Sequence, residues 1–267
     1  MAKPILILDP GHGGRDPGGG SNRQWLEKNM TLQISLYQYN RFQELNVPVA
    51  ITRTEDITLP AQQRTRIVRD SGAVYCLSNH INAGGGDGAE VIHSIYAGKE
   101  LAEQLTKELA KEGQNIRRVF TRTLPGNSSQ DYYYMHRETG SVNTMIVEYG
   151  FADSPSDDVR QLKEQWQTFA EAVVRGFCRY IGHAYRPPEE RDSDSRQDQD
   201  EDQAGRDDMP QVQRSVDVVG EDGTKLASGY LVDNRTYVSL RELSEKMGYT
   251  LSWNGKQATI RQDKDKG

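Results

Sequence analysis

The sequence is poor in several features, and each shortage excludes a class of protein. Only two of its 267 residues are cysteines. Cys76 and Cys178 each lie in an apolar run, so we expect two buried thiols rather than a disulfide framework. No apolar run approaches the roughly 18 residues that a membrane-spanning helix needs. The net charge of −6 offers nucleic acid no basic surface. We therefore expect a protein without disulfides, a membrane span or a nucleic-acid partner.

Apolar residues are also scarce, at 35% of the chain, which indicates that part of it does not pack. Residues 186–211 contain ten acidic and four basic residues and almost no apolar ones. Such a segment cannot bury enough surface to offset its ordering entropy, so we predict a disordered acidic linker. It separates a domain at residues 1–185 from a small module at residues 212–267.

The first domain alternates short apolar runs with stretches of helical spacing. Helical periodicity is clearest at residues 26–45 and 159–181. The apolar runs predict strands at residues 5–9, 49–52, 73–77, 89–95 and 145–147. This alternation predicts an α/β domain with a mostly parallel, twisted sheet and helices on both faces. The C-terminal module, with short strands between turn signals and one short helix, predicts a small α+β fold.

Polar side chains that can do chemistry stand at the ends of these predicted strands. His12, His80 and Glu148 each follow an apolar run directly. Glu27 opens the helix after the first Gly-rich loop. If the strands are parallel neighbours, all four side chains meet at one edge of the sheet, where α/β proteins place their sites.

Two imidazoles and one carboxylate form a known zinc-ligand set for hydrolysis, with a fourth position left for water. The metal lowers the pKa of that water, and a second carboxylate acts as general base. Glu27 lies close in sequence to His12, so we assign Glu27 as the ligand and Glu148 as the base. The competing interpretations are a helix N-terminal acid for Glu27 and an ion-pair partner for Glu148.

Four motifs together resemble the zinc-dependent N-acetylmuramoyl-L-alanine amidase family. They are Asp-Pro-Gly-His-Gly-Gly at residues 9–14 with Asp-Pro-Gly at 16–18, Glu27, Ser-Asn-His-Ile-Asn-Ala at 78–83 and Val-Glu-Tyr-Gly-Phe at 147–151. The resemblance covers residues 4–182. It implies that His12, Glu27 and His80 bind zinc and that Glu148 is catalytic. It also implies cleavage of the amide between N-acetylmuramic acid and the L-alanine of the peptidoglycan stem.

The sequence departs from the family pattern at Asn79, where an apolar residue is usual, and at residues 141–144, which replace a Met-Pro pair. Neither change removes a ligand, so they put loop contacts in question rather than the chemistry. Asn82 and His136 are candidates for contacting substrate.

Two further assignments concern residues near the motifs. Asp9 is expected either to hydrogen-bond a ligand histidine or to cap the turn that follows it. The arginines of the polar helix at residues 61–70 are expected to form a solvated face; they are Arg64, Arg66 and Arg69.

The C-terminal module resembles the copper amine oxidase N-terminal-like domain, through residues 235–243, Gly248-Tyr249 and Trp253. The resemblance implies a non-catalytic role in wall attachment, with a secondary wall polymer as the expected ligand. The module has no His or Cys, so no metal site is expected in it. Dimerisation through this module is a further hypothesis, and an internal start at Met209 would supply the module alone.

The N-terminus does not read as a signal peptide, so we expect synthesis in the host cytoplasm and action on the wall after release. A phage or prophage endolysin, released through holin lesions, fits this layout, and a sporulation mother-cell lytic enzyme is the nearest alternative. Two other functions stay open: a zinc endopeptidase or carboxypeptidase acting on the peptide stem, and a non-catalytic wall-binding protein.

Overall fold

The computed structural model describes residues 3–188, 212–220, 224–232, 235–238, 243–244, 246–253 and 258–262. The chain divides into two compact units, residues 1–191 and 192–267, which are described separately. Most of the predicted acidic linker, residues 189–211, lies outside the described residues, so its disorder stays a prediction, as do the use of Met209 and the domain boundaries.

The first unit is built on a six-stranded sheet, and a two-stranded hairpin lies beside it. The sheet strands are β1 (Leu6–Pro10), β2 (Val49–Ile51), β3 (Tyr75–Asn82), β4 (Ala89–His93), β5 (Ile116–Phe120) and β8 (Asn143–Phe151), and the hairpin strands are β6 (Thr123–Leu124) and β7 (Asn127–Asp131). The order across the sheet is β2-β1-β3-β8-β4-β5. All neighbours are parallel except β8 and β4. The mostly parallel sheet is therefore confirmed.

Helices cover both faces of this sheet. They are α1 (Glu27–Glu44), α2 (Ala61–Asp70), α3 (Glu100–Lys111), α4 (Tyr134–Arg137) and α5 (Asp158–Tyr180). No helix in the described part of the chain combines the length and the apolar character needed to cross a membrane.

Alternation along the strands sorts the core into two clusters, because successive strand residues point to opposite faces. Leu6 and Leu8 of β1 belong to the larger cluster, which includes residues from α1, α3 and α5. Ile7 belongs to the smaller cluster, with residues from α2 and α4. Both cysteines are buried free thiols, as expected.

A neutral polar network lies buried on the α1 side of the sheet and explains the departure at Asn79. The Asn79 amide nitrogen donates to Ser35 Oγ and Gln38 Oε1, each at 2.8 Å. Its oxygen accepts from the Tyr149 hydroxyl at 3.1 Å, and that hydroxyl accepts from Gln38 Nε2 at 2.7 Å. A polar residue is tolerated at this core position because every one of its neighbours in the network is also polar.

The observed strands differ from the predicted ones in two ways. β3 and β8 continue through the motifs, so His80 and Glu148 lie within strands rather than after them. The edge strand β5, the hairpin and the single turn of α4 were not predicted.

The second unit contains two antiparallel sheets. β9 (Val212–Val219), β10 (Lys225–Val232) and β11 (Arg235–Val238) form one, in the order β11-β10-β9. β12 (Tyr249–Trp253) and β13 (Ala258–Gln262) form the other. At eight residues, β10 is longer than the short strands predicted for this module.

Candidate metal centre

The sheet topology brings the predicted site residues to one edge. β1, β3 and β8 are adjacent and parallel, so their carboxyl ends share an edge. His80 of β3 stands directly opposite Glu148 of β8 in the register, so both side chains project from the same face. His12 follows the end of β1, whose last residue pairs with Asn79.

Three of the four residues present donor atoms to a common point. Glu27 Oε1 lies 3.1 Å from His12 Nε2 and 3.1 Å from His80 Nδ1. One donor atom from each of the three residues lies within 4.8 Å of the others. The two imidazole rings meet edge to face, with their centroids 4.9 Å apart. Two imidazole nitrogens and one carboxylate on one side of a cleft suit a four-coordinate zinc with an open position, so the residues fit that metal.

Glu27 is fixed by the backbone around it. It is the first residue of α1, and 1% of its surface is exposed. Its Oε2 accepts from the Gly20 N–H at 2.7 Å, and its Oε1 accepts from the Ile81 N–H at 3.0 Å. Burial would raise the pKa of Glu27, but the hydrogen bonds from His12 and His80 hold it far below its usual range. The carboxylate is therefore ionised and preoriented for a cation.

Gly18 and Gly11 let Glu27 and His80 approach the main chain closely. Gly18 has a φ of +87°, and a Cβ there would come within 2.4 Å of the Glu27 carboxylate. A Cβ on Gly11 would come within 2.4 Å of the His80 ring. Glycine is required at both positions because a larger residue would displace Glu27 or His80.

His12 adopts a left-handed conformation, with a φ of +60°. Its Nδ1 lies 2.8 Å from Asp16 Oδ2, which directs the other ring nitrogen towards Glu27. Burial alone would lower the pKa of His12, but Glu27 and Asp16 raise it to about 9. A carboxylate on the distal nitrogen of a ligand histidine fixes the ring and raises its basicity. Asp16 is thus a site residue that the sequence analysis missed.

Glu148 is separate from the donor cluster. The residue is half-buried, and its Oε2 atom is buried without a hydrogen-bond partner. Burial raises the pKa of Glu148 to about 7. A carboxyl group with this pKa can both accept and return a proton near neutral pH.

His12, His80 and Glu148 line a cleft of about 400 Å³. The rest of the lining comes from the loop after β1, the segment before α2, α2 itself, the segment around α4, and β8; it includes Thr58, Leu59, Arg64, Tyr133, Tyr134, Met135 and Ile146. The cleft is therefore lined both by polar side chains, among them His12, His80 and Glu148, and by apolar ones.

Asn82 and His136 lie outside the lining of this cleft. The Asn82 amide donates to Glu90 Oε2 at 3.0 Å. His136 lines a second cavity, of about 690 Å³, next to the start of β8. Burial lowers the pKa of His136 to about 4, so the ring is neutral. Contact of these two residues with substrate stays a prediction.

Two expectations for nearby charged residues are wrong. Arg64 is only 3% exposed, whereas Arg66 and Arg69 on the same helix are exposed as expected. Arg64 is buried because its guanidinium pairs with Asp9 at 2.7 Å. Asp9 accepts from Arg64, from Thr52 and from Ser78 rather than from a ligand histidine.

Comparison with known proteins identifies the family. Residues 6–179 match the family model described as N-acetylmuramoyl-L-alanine amidase. The chain belongs to the N-acetylmuramoyl-L-alanine amidase family. The identification as an amidase from the sequence motifs is therefore confirmed. Residues 220–266 match the model described as copper amine oxidase N-terminal domain, as the weaker resemblance had indicated.

Relatives of this amidase share both sequence and fold. It is 33% identical to the N-acetylmuramoyl-L-alanine amidase CwlM of Bacillus licheniformis over 182 residues, which are 67% of this chain and 68% of CwlM. Its fold is similar to that of Cwp6 from Clostridium difficile, with a TM-score of 0.61 and 27% identity over 66% of this chain and 29% of Cwp6. The amidase AmiC2 of Nostoc punctiforme matches with a TM-score of 0.59 and 25% identity, over 68% of this chain and 99% of that one.

Proposed function

We propose that this amidase uses zinc to hydrolyse the amide between N-acetylmuramic acid and the L-alanine of the peptidoglycan stem. The observation that carries the proposal is the convergence of His12, Glu27 and His80 on one point, beside a buried carboxyl group in the same cleft. The family membership supplies the class of bond.

His12, Glu27 and His80 would hold the zinc ion. When bound, zinc lowers the pKa of a water molecule and polarises the substrate carbonyl. The chain's own residues prepare this site in advance, since Glu27 is held by two backbone N–H groups and His12 by Asp16.

Glu148 would act first as the general base and then as the general acid. Its carboxylate accepts a proton from the attacking water as the water oxygen bonds to the carbonyl carbon. The same proton then passes to the amide nitrogen as the carbon–nitrogen bond breaks, which releases the L-alanine amine. A pKa of about 7 suits both steps, because the group must be ionised to accept the proton and weakly basic enough to return it.

We further propose that the second unit binds the wall, with a secondary wall polymer as its ligand, and that the enzyme acts on the wall after release from the cell. A phage or prophage endolysin and a sporulation mother-cell lytic enzyme share this chemistry, and the genes beside this one separate them. A holin-like reading frame beside the gene would support the endolysin, and a sporulation operon there would contradict it.

Digestion of purified peptidoglycan tests the function directly. We expect mass analysis to find free L-alanine amino termini with an intact glycan chain. Activity should disappear in a strong chelator and return with zinc, and Glu148→Ala should remain inactive under both conditions. A cut within the stem peptide would instead show an endopeptidase or carboxypeptidase, and lysis that persists in the chelator would refute the metal mechanism.

A further inference from the structure

Two buried arginines hold the turn that carries His12. Arg53 and Arg64 are only 2% and 3% exposed. They come from different parts of the chain, Arg53 from the segment after β2 and Arg64 from α2. Both direct their guanidinium groups at the main chain between the end of β1 and His12.

The arginines satisfy three consecutive backbone carbonyls. Arg64 Nη1 donates to the Pro10 carbonyl and Arg64 Nη2 to the His12 carbonyl, each at 2.6 Å. Arg53 Nη2 donates to the Gly11 carbonyl at 2.8 Å, and Arg53 Nε donates to the Pro10 carbonyl at 3.2 Å. Carbonyls buried in a turn lack the partners that a strand or helix would give them, so side-chain donors are needed here.

The backbone conformation of His12 makes these hydrogen bonds from Arg53 and Arg64 important. A residue other than glycine at a φ of +60° is strained, and it persists only where its surroundings impose that conformation. The hydrogen bond from Arg64 to the His12 carbonyl acts on the strained residue itself. Arg64 is in turn anchored by Asp9, which also accepts from the hydroxyls of Thr52 and Ser78.

We propose that Arg64, supported by Arg53, is a positioning residue for the metal: it holds His12 so that Nε2 meets Glu27 and His80. The inference rests on the proposed function, because it presumes that these three residues bind zinc. A planar guanidinium can donate to several acceptors at fixed angles, whereas the ammonium of lysine is a compact charge without that fork. Lysine at position 64 would keep a cation beside Asp9 but would not reproduce the two hydrogen bonds to the Pro10 and His12 carbonyls.

The test compares the zinc affinity of the full-length wild type with that of Arg64→Lys, by competition with a chromophoric chelator. We expect Arg64→Lys to weaken zinc binding about tenfold, the range found when outer-shell partners of a ligand are removed. The matched control is Arg66→Lys on the same helix, where the side chain is 74% exposed. It should leave the affinity within about twofold of wild type.

Repeating the substitution in a His12→Ala protein shows whether the effect of Arg64→Lys on zinc affinity depends on His12. In a His12→Ala protein, which retains Glu27 and His80, Arg64→Lys should no longer change the zinc affinity. An equal loss in both backgrounds would overturn the proposal. So would an unchanged zinc affinity with a Tm that falls equally in the presence and absence of zinc, since that is the signature of a purely structural residue.

Arg53→Lys gives the same test without disturbing Asp9, and it decides the question if Arg64→Lys fails to fold. A loss of zinc affinity that depends on His12 supports the proposal that the arginines position His12, and an unchanged zinc affinity refutes it. Zinc binding is measured without peptidoglycan. A wild type that binds zinc but does not cut the predicted amide would therefore refute the proposed function alone.

Discussion

The two faces of the central strands bury polar groups in opposite ways. On the α1 side, Asn79, Gln38 and Tyr149 are neutral and bonded to one another. On the α2 side lie the buried ion pair of Asp9 and Arg64 and the unpartnered oxygen of Glu148. A satisfied neutral network stabilises a core, whereas an unsatisfied carboxyl group is costly and needs a functional reason. Among the side chains of the three central strands, the neutral network therefore lies on the α1 face, and the charged and titratable groups Asp9, His80 and Glu148 lie on the α2 face.

The largest effect expected from this separation is on activity. Glu148→Gln removes the proton acceptor and keeps the shape of the side chain. We expect the rate of amide cleavage to fall at least about a hundredfold, the scale of a lost general base. Release of L-alanine amino termini from purified peptidoglycan measures it, with Glu164→Gln, an exposed change on α5, as the control. A loss smaller than about tenfold would contradict the assigned role.

The same substitution should stabilise the zinc-free protein at alkaline pH. Burial raises the pKa of Glu148 from 4.5 to about 7, so the folded state favours the protonated acid. That contribution is complete below pH 4.5 and is lost as the pH rises through 7. Glutamine avoids the loss, so Glu148→Gln should gain on the order of 2 kcal/mol at pH 8 relative to pH 5.

Thermal unfolding in a chelator at the two pH values measures this gain. The exposed control Glu164→Gln should show no comparable pH-dependent gain. If the stability difference between Glu148→Gln and wild type is the same at pH 5 and pH 8, the raised pKa of Glu148 is contradicted.

A substitution in the polar network on the α1 face should instead lower stability and leave zinc affinity and activity nearly unchanged. Asn79→Leu restores the apolar residue usual in the family but leaves Ser35, Gln38 and Tyr149 without their partner. We expect a loss of about 2 kcal/mol, or about 4–8 °C in Tm. Zinc affinity and activity at 25 °C should stay within about twofold of wild type. An Asn79→Leu protein that keeps its Tm but binds zinc more weakly would show that the α1 face supports the metal site rather than stability.

Much of the fold followed from the sequence, because apolar runs mark buried strands. The pattern failed where strands continue through polar residues, since backbone pairing between β3 and β8 does not depend on side-chain polarity. It failed also at β5, an edge strand in which Arg117 and Arg118 interrupt the apolar run. Both arginines lie exposed at the edge and contact Glu90, so the strand never needed a continuous apolar sequence.

The candidate site was predictable to the extent that it depends on strand ends. The convergence of His12, His80 and Glu148 follows from parallel strands alone. The buried Arg64 was missed because three arginines in one helix look alike in composition. Its spacing held a signal: Arg64 stands four residues before Val68, which is fully buried, and so shares the inward face. Asp16 lies in one of the motifs, but its role was missed because its bond to His12 depends on the shape of a glycine-rich loop.

The smallest predicted effect tests whether the neutral network acts as a unit. Tyr149→Phe removes one hydroxyl, which donates to Asn79 and accepts from Gln38. We expect a loss of about 1 kcal/mol, or about 2–4 °C in Tm, with no change in zinc affinity. In the Asn79→Leu background the same change should lower Tm by less, because half of the hydroxyl's bonds are already gone. Fully additive losses would show that the hydroxyl contributes independently, and the α1 face would then be a set of separate bonds rather than a cooperative network.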